Sequence, residues 1–321
     1  MAEIGKDIAK AKQILEAGDL VGIPTETVYG LAGNALDVNA VSKIFETKNR
    51  PSFDPLILHT SSVDRVLDFV IEVPDALKVL ADSFWPGPLT LLLPRKSIVP
   101  DLVTSGLDTV AVRIPSHPLT KELLSVLDFP LAAPSANPFG YISPTQASHV
   151  NDQLGSKVNY ILDGGPCEVG LESTIVGLEN GEVTVYRLGG IDLRSIEDKV
   201  GKIRQIAHST SNPKAPGLLQ SHYSPTKPFV LGELDKLIET YSNKGIEFAV
   251  MSFSDSHESV EKNRKIILSP NADLHEAAKN LFASMRILDS MDVSVILAEL
   301  LPEEGLGRAV NDRLRRAAVQ Q

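Results

Sequence analysis

Residues 22–59 combine side-chain types that bind anions and small polar groups. The segment contains a Pro-Thr-Glu-Thr turn at 24–27, the cations Lys48 and Arg50, and the histidine His59. Small polar groups followed by paired cations are typical of a site that holds an anionic substrate beside a small polar one. The pattern predicts one strand, one helix and a second strand, with the polar groups near their ends. It therefore indicates a reaction centre rather than a packing motif.

Two further arginines follow apolar strand patterns. Arg113 and Arg187 each end such a run, where an unpaired guanidinium is costly unless an anion compensates it. Four cations at strand or helix ends on one face would form a pocket for a polyphosphate. The alternative for Lys48 and Arg50 is a cap at a helix C-terminus, which the helix dipole favours by about 0.5 kcal/mol. Residue types alone leave both interpretations open.

Other candidate polar residues also have structural explanations. Ser135, Asn137 and Ser173 follow predicted strands and could be ordinary turn or capping residues. His59, a lone histidine, could be a core residue with one satisfied nitrogen. Cys167 is the only cysteine, so we expect no intrachain disulfide and no multi-cysteine zinc site. It lies in a turn without an evident base, and we interpret it as inert.

The chain alternates helix and strand patterns, which is typical of an α/β protein whose strands end in polar turns. Predicted helices cover 7–17, 39–48, 74–84, 234–243, 272–288 and 306–318. Predicted strands cover 20–24, 55–59, 89–94, 109–114, 131–133, 160–162, 229–231, 248–251 and 293–298, with a hairpin over 174–187.

Composition limits the classes of function. A chain of 321 residues exceeds the usual size of one hydrophobic core, so two domains are expected. The formal net charge of −10 argues against strong direct binding of nucleic acid, because neutralised phosphates supply most of that affinity. The N-terminal segment lacks the features of a signal peptide, and no apolar run is long enough to cross a membrane. We expect a cytoplasmic protein.

The character of the sequence changes after about residue 205. Residues 208–227 contain three prolines and several serines without sustained periodicity, which is typical of a linker. Beyond it, strand and helix patterns alternate again and predict a small parallel sheet with covering helices.

Eight motifs occur in an order and spacing that resemble a known family. They are GIPTETVYGLAGNA, KNRPSFDPLILH, FWPGPLTLLL, VAVRIPSHP, PSANPFGYISPT, DGGP, ESTIV and YRLGGI. Together they resemble YrdC-type threonylcarbamoyl-AMP synthases, and the later PGLLQSHYSP and EGLGRAVNDRLRRAA resemble the two-domain form. The resemblance implies a YrdC-like twisted mixed β-sheet domain with flanking helices over 1–205. It also implies a linker over 206–228 that acts as an active-site lid, and a small Rossmann-like parallel α/β domain over 229–321.

The resemblance also implies a reaction. L-threonine, bicarbonate and ATP become threonylcarbamoyl-AMP and pyrophosphate, and a separate enzyme then transfers the threonylcarbamoyl group to a tRNA adenosine beside the anticodon. Charge accumulates along this path, so positioning and cations matter more than a nucleophilic side chain. Mg²⁺ is expected to accompany ATP, held largely by the phosphates, and no organic cofactor is expected.

Motif by motif, the resemblance assigns site residues. Those similar to the threonine site are Thr27, His59, Arg113, the backbone of Ala133, and Ser173. Those similar to the ATP site are Arg50, Asp54, Thr109, Ser135, Asn137, Ser143, Arg187 and Tyr223. Lys48 and Arg50 form the Lys-x-Arg pair, to which we assign the catalytic role.

The chain departs from the family pattern at two places. Asp54 stands where the family often has Asn, and a carboxylate there would repel a phosphate unless it faced magnesium or ribose. Residues 218–221 differ from the usual linker motif.

The rival interpretations are a YrdC-like module that binds nucleotide or RNA without turnover, and a carbamoyl-transfer enzyme that uses carbamoyl phosphate. Overall acidity argues against the first, and the lack of further domains and cysteines argues against the second.

Overall fold

The computed structural model describes residues 1–206, 215–216 and 222–319, which form two compact units. The first unit contains the described residues up to 216, apart from two short segments, Gly140–Ile142 and Val169–Leu171, that belong to the second unit. The predicted lid falls largely outside the described residues, so the lid and the domain bounds stay predictions. No helix in the described ranges has the length and apolar character needed to cross a lipid bilayer.

The first unit alternates short strands and helices. Its described strands are β1 (Glu3–Gly5), β2 (Val21–Ile23), β3 (Gly30–Asn34), β4 (Ile57–His59), β5 (Leu89–Pro94), β6 (Thr109–Arg113), β7 (Leu131–Ala132), β8 (Tyr160–Leu162), β9 (Thr174–Glu179), β10 (Glu182–Arg187) and β11 (Arg204–Gln205). Its described helices are α1 (Ile8–Glu16), α2 (Val38–Lys48), α3 (Val63–Val66), α4 (Asp75–Phe84), α5 (Asp101–Thr104), α6 (Pro118–Ser125), α7 (Ala147–Leu154) and α8 (Leu193–Val200).

These strands form one mixed sheet in the order β1-β8-β2-β3-β7-β4-β6-β5-β9-β10-β11. Strand β4 is parallel to β6, whereas β5 is antiparallel to β6 and parallel to β9. The predicted mixed α/β sheet is therefore confirmed. The predicted hairpin is also present, because β9 and β10 pair around Asn180 and Gly181, which both have positive φ.

Helix α2 shows how local sequence determines an element that carries site residues. The Asp37 side chain accepts a hydrogen bond from the Asn39 amide and caps the helix, as acidic N-caps commonly do. Val41, Ile44 and Phe45 form the buried face, and the chain leaves the helix through Asn49 in a left-handed conformation. This ending points the Lys-x-Arg segment toward the strand ends.

The expectation of only two strands within residues 22–59 is wrong. A further strand, β3, pairs antiparallel with β2. Its sequence, GLAGN, is poor in β-branched residues, so propensity gave no signal. Close packing explains the glycine at its start: a Cβ added at Gly30 would lie 3.1 Å from the Cβ of Ala133.

The second unit holds a four-stranded parallel sheet in the order β12-β15-β13-β14. Its strands are β12 (Phe229–Leu231), β13 (Phe248–Ser252), β14 (Lys265–Ile267) and β15 (Val295–Ala298), and its α-helices are α9 (Leu234–Asn243), α10 (Leu274–Ser290) and α11 (Gly307–Ala317). The predicted small parallel α/β domain is confirmed. Strand β14 was not predicted, because it is a short edge strand without a fully buried residue.

Substitutions in the main hydrophobic core of the first unit should reduce the free energy of unfolding most. Leu91 lies in the middle of β5, is fully buried, and belongs to this core. We expect Leu91→Ala to reduce the free energy of unfolding by about 2–5 kcal/mol, because it removes buried apolar contacts and leaves a cavity. Ile71→Ala is the control, since Ile71 is 65% exposed. Equal shifts of the urea midpoint in the two variants would contradict this packing.

Candidate functional site

The candidate site lies at one end of four neighbouring strands of the first unit, β4, β6, β5 and β9. This end of the strands is called the edge of the site below. His59 at the end of β4 is in register with Arg113 at the end of β6. Thr90 near the start of β5 is opposite Arg113, and β9 begins directly after Ser173. Because β5 and β9 run opposite to β4 and β6, the polar residues of all four strands share this edge.

Arg113 is the centre of this edge and is only 4% exposed. One of its terminal nitrogens, Nη2, lies 2.6 Å from the Glu26 carboxylate, and the other, Nη1, donates to the Thr27 hydroxyl at 2.8 Å. Its Nε donates to the carbonyl of Gly87 at 3.2 Å. The expected anion for this buried guanidinium is thus supplied by the chain itself, so Arg113 does not join a set of four uncompensated cations.

The Glu26 carboxylate is held on both sides. Its second oxygen accepts a hydrogen bond from the Ser116 amide at 3.1 Å. Burial by itself would raise the pKa of Glu26, but the charge and hydrogen bond of Arg113, together with the backbone amides of Glu26 and Ser116, outweigh burial and lower that pKa. Glu26 is therefore ionised. Among the described residues, one N–H on each terminal nitrogen of Arg113 lacks a protein acceptor.

His59 presents a neutral imidazole beside Arg113. Burial first, and then the positive charge of Arg113, lower the pKa of His59 to about 3. Its Nδ1 lies 3.2 Å from the carbonyl of Ile57, and the carbonyl of Leu131 also hydrogen-bonds to the ring. The neutral imidazole has one nitrogen that donates and one that accepts.

The Ser173 hydroxyl connects the two groups of predicted site residues. It lies 2.7 Å from the Thr90 hydroxyl and accepts from Arg187 Nη2 at 3.1 Å. Arg187 also donates from Nε and Nη2 to the Ser173 carbonyl at 3.1 and 2.9 Å, and from Nη1 to the Pro216 carbonyl at 3.2 Å. A residue expected at the ATP site is thus bonded to one expected at the threonine site.

Backbone hydrogen bonds bring Ala133 to the same edge. Its amide donates to the Ile57 carbonyl at 3.2 Å, two residues before His59. The five residues predicted for the threonine site are therefore connected through bonds or register to Arg113 and its neighbouring strands. The five are Thr27, His59, Arg113, Ala133 and Ser173.

Lys48 binds the loop that carries Ser135 and Asn137. Its Nζ donates to the carbonyls of both residues at 2.5 Å, and the side chain is almost fully buried. Burial and the neighbouring positive charge of Arg50 lower the pKa of Lys48 well below its usual value. Lys48 lies in the last turn of α2, where the helix dipole favours a cation, and its side chain also binds a distant loop rather than the carbonyls of its own helix.

Arg50 and Asp54 form a buried ion pair at 2.9 Å. Arg50 also donates to the carbonyls of Asp54 and Pro55, and its guanidinium lies 5.8 Å from the centre of the Phe139 ring. A carboxylate at position 54 would repel a phosphate unless it faced magnesium or ribose. In this structure its carboxylate contacts Arg50, which reduces the repulsion that a nearby phosphate would meet.

Two predicted ATP-site residues, Ser143 and Thr109, have no hydrogen bond to Arg113 among those described above. Ser143 donates to the buried Glu172 carboxylate at 2.6 Å. Thr109 is at the opposite end of β6 from Arg113, about 13 Å away along an extended strand. The parallel register with β4, continued by two residues, puts Thr109 beside Pro55, whose carbonyl Arg50 binds.

Tyr223 lies in the second unit and is 1% exposed. Its ring packs against Phe282 at 5.4 Å and lies beneath the guanidinium groups of Arg313 and Arg316 at 5.3 and 4.7 Å. Its expected position over the nucleotide stays a prediction. The unusual linker residues 218–221 lie outside the described residues.

Sequence reasoning missed four residues that orient the site. They are Thr25, Glu26, Thr90 and Glu172, all buried. Thr25 contacts the Thr27 hydroxyl at 2.7 Å and the Val28 carbonyl at 2.6 Å, which organises the turn. The available signal for Glu26 was a carboxylate in the same turn as Thr27, because a buried guanidinium such as that of Arg113 requires an anionic partner.

Two family models together match most of the chain. Residues 13–189 match the model described as "Telomere recombination", and residues 191–319 match "Threonylcarbamoyl-AMP synthase, C-terminal domain". A threonylcarbamoyl-AMP synthase of Pyrococcus abyssi is 40% identical over 96% of this chain and 93% of its own length. One of Bacillus subtilis is 37% identical over 97% of this chain and 92% of its own length.

A solved structure agrees with these matches. The crystal structure of P. abyssi Sua5 complexed with L-threonine has a TM-score of 0.92 and 38% identity, and the match covers 99% of this chain and 97% of that one. Full-length similarity, both domain models and the shared fold lead to one conclusion: this chain belongs to the two-domain threonylcarbamoyl-AMP synthase family.

Proposed function

We propose that this chain converts L-threonine, bicarbonate and ATP into threonylcarbamoyl-AMP and pyrophosphate. The observation that carries the proposal is the bonding of Arg187 to Ser173, which joins the residues assigned to the two substrates. A synthase of this kind must bring an oxygen of the carbamate formed on the threonine amine to the α-phosphate, so adjacent and connected sites are what the chemistry requires.

The residues around Arg113 suit the amino-acid substrate. A carboxylate can accept one N–H from each terminal nitrogen of a guanidinium, and these are the donors that Arg113 retains. The neutral His59 offers an acceptor for a hydroxyl or amine N–H group. Thr27, Ser173 and the backbone of Ala133 complete this proposed threonine site.

The residues around Lys48 and Arg50 suit the nucleotide. Arg50 would contact a phosphate oxygen, with Asp54 holding its orientation. Lys48 would act mainly by holding the loop of Ser135 and Asn137, with its third N–H left for a substrate oxygen. Thr109, Ser143, Arg187 and Tyr223 are the remaining proposed ATP-site residues.

ATP in such a reaction is accompanied by a divalent cation. Within the ranges that the structure describes, no group of three or more His, Cys, Asp or Glu side chains could hold a metal ion. We propose that Mg²⁺ enters with ATP on its phosphates.

The chemistry balances without a covalent enzyme intermediate. The threonine amine combines with bicarbonate to give a carbamate and water. A carbamate oxygen then forms a bond to the α-phosphorus, and the bond to the β-phosphate oxygen breaks to release pyrophosphate. The protein supplies positioning and fixed positive charge. The mixed anhydride would pass to a separate enzyme that modifies tRNA.

The direct test is incubation of the purified protein with MgATP, labelled bicarbonate and single amino acids. We expect pyrophosphate release with threonine, with label recovered in an AMP adduct. Binding of ATP without release under any condition would instead favour the non-catalytic nucleotide-binding module.

Arg50 should be needed for turnover at saturating ATP. We expect Arg50→Ala to lower kcat by roughly 10²–10³-fold, the usual loss for one donor to a developing charge. Because this change removes the Arg50 partner of the buried Asp54 carboxylate, the double variant Arg50→Ala/Asp54→Asn should be measured beside it. Arg65→Ala, at a half-buried arginine outside the candidate site, is the control. Normal turnover in the folded double variant would mean that Arg50 is structural.

The neutral His59 predicts a flat pH dependence for threonine binding. Its pKa of about 3 lies far below the ordinary value, so the ring takes up no proton as the pH falls from 7.5 to about 5. Calorimetric titration with threonine, without bicarbonate, should give a constant affinity over this range. An affinity that weakens near pH 6.5, and stays constant in His59→Asn, would show that the ring titrates normally.

A further inference from the structure

We propose that Glu26 is a positioning residue for threonine, acting through Arg113. This inference rests on the proposed function, because it assumes that Arg113 binds the threonine carboxylate. Glu26 belongs to the Pro-Thr-Glu-Thr turn, directly before Thr27, and its own side chain is 5% exposed. It is not itself a ligand of the substrate in this scheme.

The geometry restricts Arg113 from three sides. Glu26 binds Nη2, Thr27 binds Nη1, and the Gly87 carbonyl binds Nε. These three contacts fix both the plane of the guanidinium and its rotation about the side-chain axis. Only one N–H on each terminal nitrogen then remains for a ligand among the described residues, so Glu26 helps to select the direction from which a carboxylate can bind.

Glu26 is itself anchored away from Arg113. Its second oxygen accepts from the Ser116 amide, three residues after Arg113 along the same chain. The carboxylate therefore spans the segment that leaves β6 and holds it against the turn that carries Thr27. An amide side chain could retain one of these contacts but not both, because its nitrogen cannot accept a hydrogen bond.

The negative charge of Glu26 also affects which anions Arg113 can bind. The guanidinium is buried and would be costly without an anion. With Glu26 ionised the pair is neutral, so an arriving threonine carboxylate meets directed donors rather than an uncompensated charge that any anion could occupy. Glu26 thus contributes selectivity for an anion of the correct shape and direction.

The test compares Glu26→Gln with wild type in the threonine-dependent release of pyrophosphate. We expect the KM for threonine to rise roughly tenfold to a hundredfold, the usual consequence of losing one charged hydrogen bond. The KM for ATP should stay within about twofold. Arg113→Lys should change the same parameter, because a lysine cannot bind a carboxylate through two nitrogens.

Two further variants control for folding and for charge. Glu26→Asp keeps the negative charge but is too short to reach both Arg113 and Ser116, and it should raise the KM for threonine by less than Glu26→Gln. Glu168→Gln is the matched control: Glu168 is an exposed carboxylate that lines the same 380 Å³ cavity as Glu26, and within the described residues it makes no contact with Arg113. Its kinetics should equal those of wild type.

The outcomes separate the two proposals. Wild-type protein that releases no pyrophosphate with threonine refutes the proposed function, and this inference falls with it. Active wild type with an unchanged threonine KM in folded Glu26→Gln refutes only the inference, as does an equal rise of the KM for both substrates. If Glu26→Gln does not fold, the threonine KM of Glu26→Asp decides, and a value equal to wild type refutes the role.

Discussion

The burial of the Arg113 guanidinium is the constraint on which the site depends. A charge in this environment must be compensated, and the compensation comes from two loops. The turn around Glu26 and Thr27 supplies a carboxylate and a hydroxyl, and the turn at Gly87 supplies a carbonyl. Both loops are thereby tied to the end of β6. Removing a partner from such a pair typically costs about 3–5 kcal/mol, so the loops and the arginine hold one another in place.

The sheet register determines which residues share a face with the candidate site. Side chains alternate along a strand, so the residues two positions before His59 and Arg113 share their face. These residues are Ile57 and Ala111, which belong to a small apolar cluster that also includes Ala215. The polar ends of β4 and β6 therefore adjoin an apolar surface.

The second unit has its own buried charge cluster. Arg313 and Arg316 lie beside the Tyr223 ring, and Asp312 accepts from Arg313 at 2.9 Å. The aromatic ring contributes cation–π attraction to buried guanidinium groups. Tyr223, at the end of the predicted linker, is in this way packed into the core of its own unit. The charged residues of the final helix did not predict this contact.

The sequence determined most long elements, because sustained apolar runs and helical spacing depend on local pattern alone. It missed the strands β1, β3, β11 and β14, which are short, glycine-rich or at a sheet edge, where pairing partners decide the conformation. It also missed the helices α3 and α5 to α8, none of which is longer than eight residues. The motifs also indicated which residue types form the site. They could not indicate that Glu26 pairs with Arg113, 87 positions away, or that Lys48 binds the Ser135 carbonyl. Only the tertiary structure decided these pairs, because a buried charge is satisfied by whichever groups the strand order brings beside it.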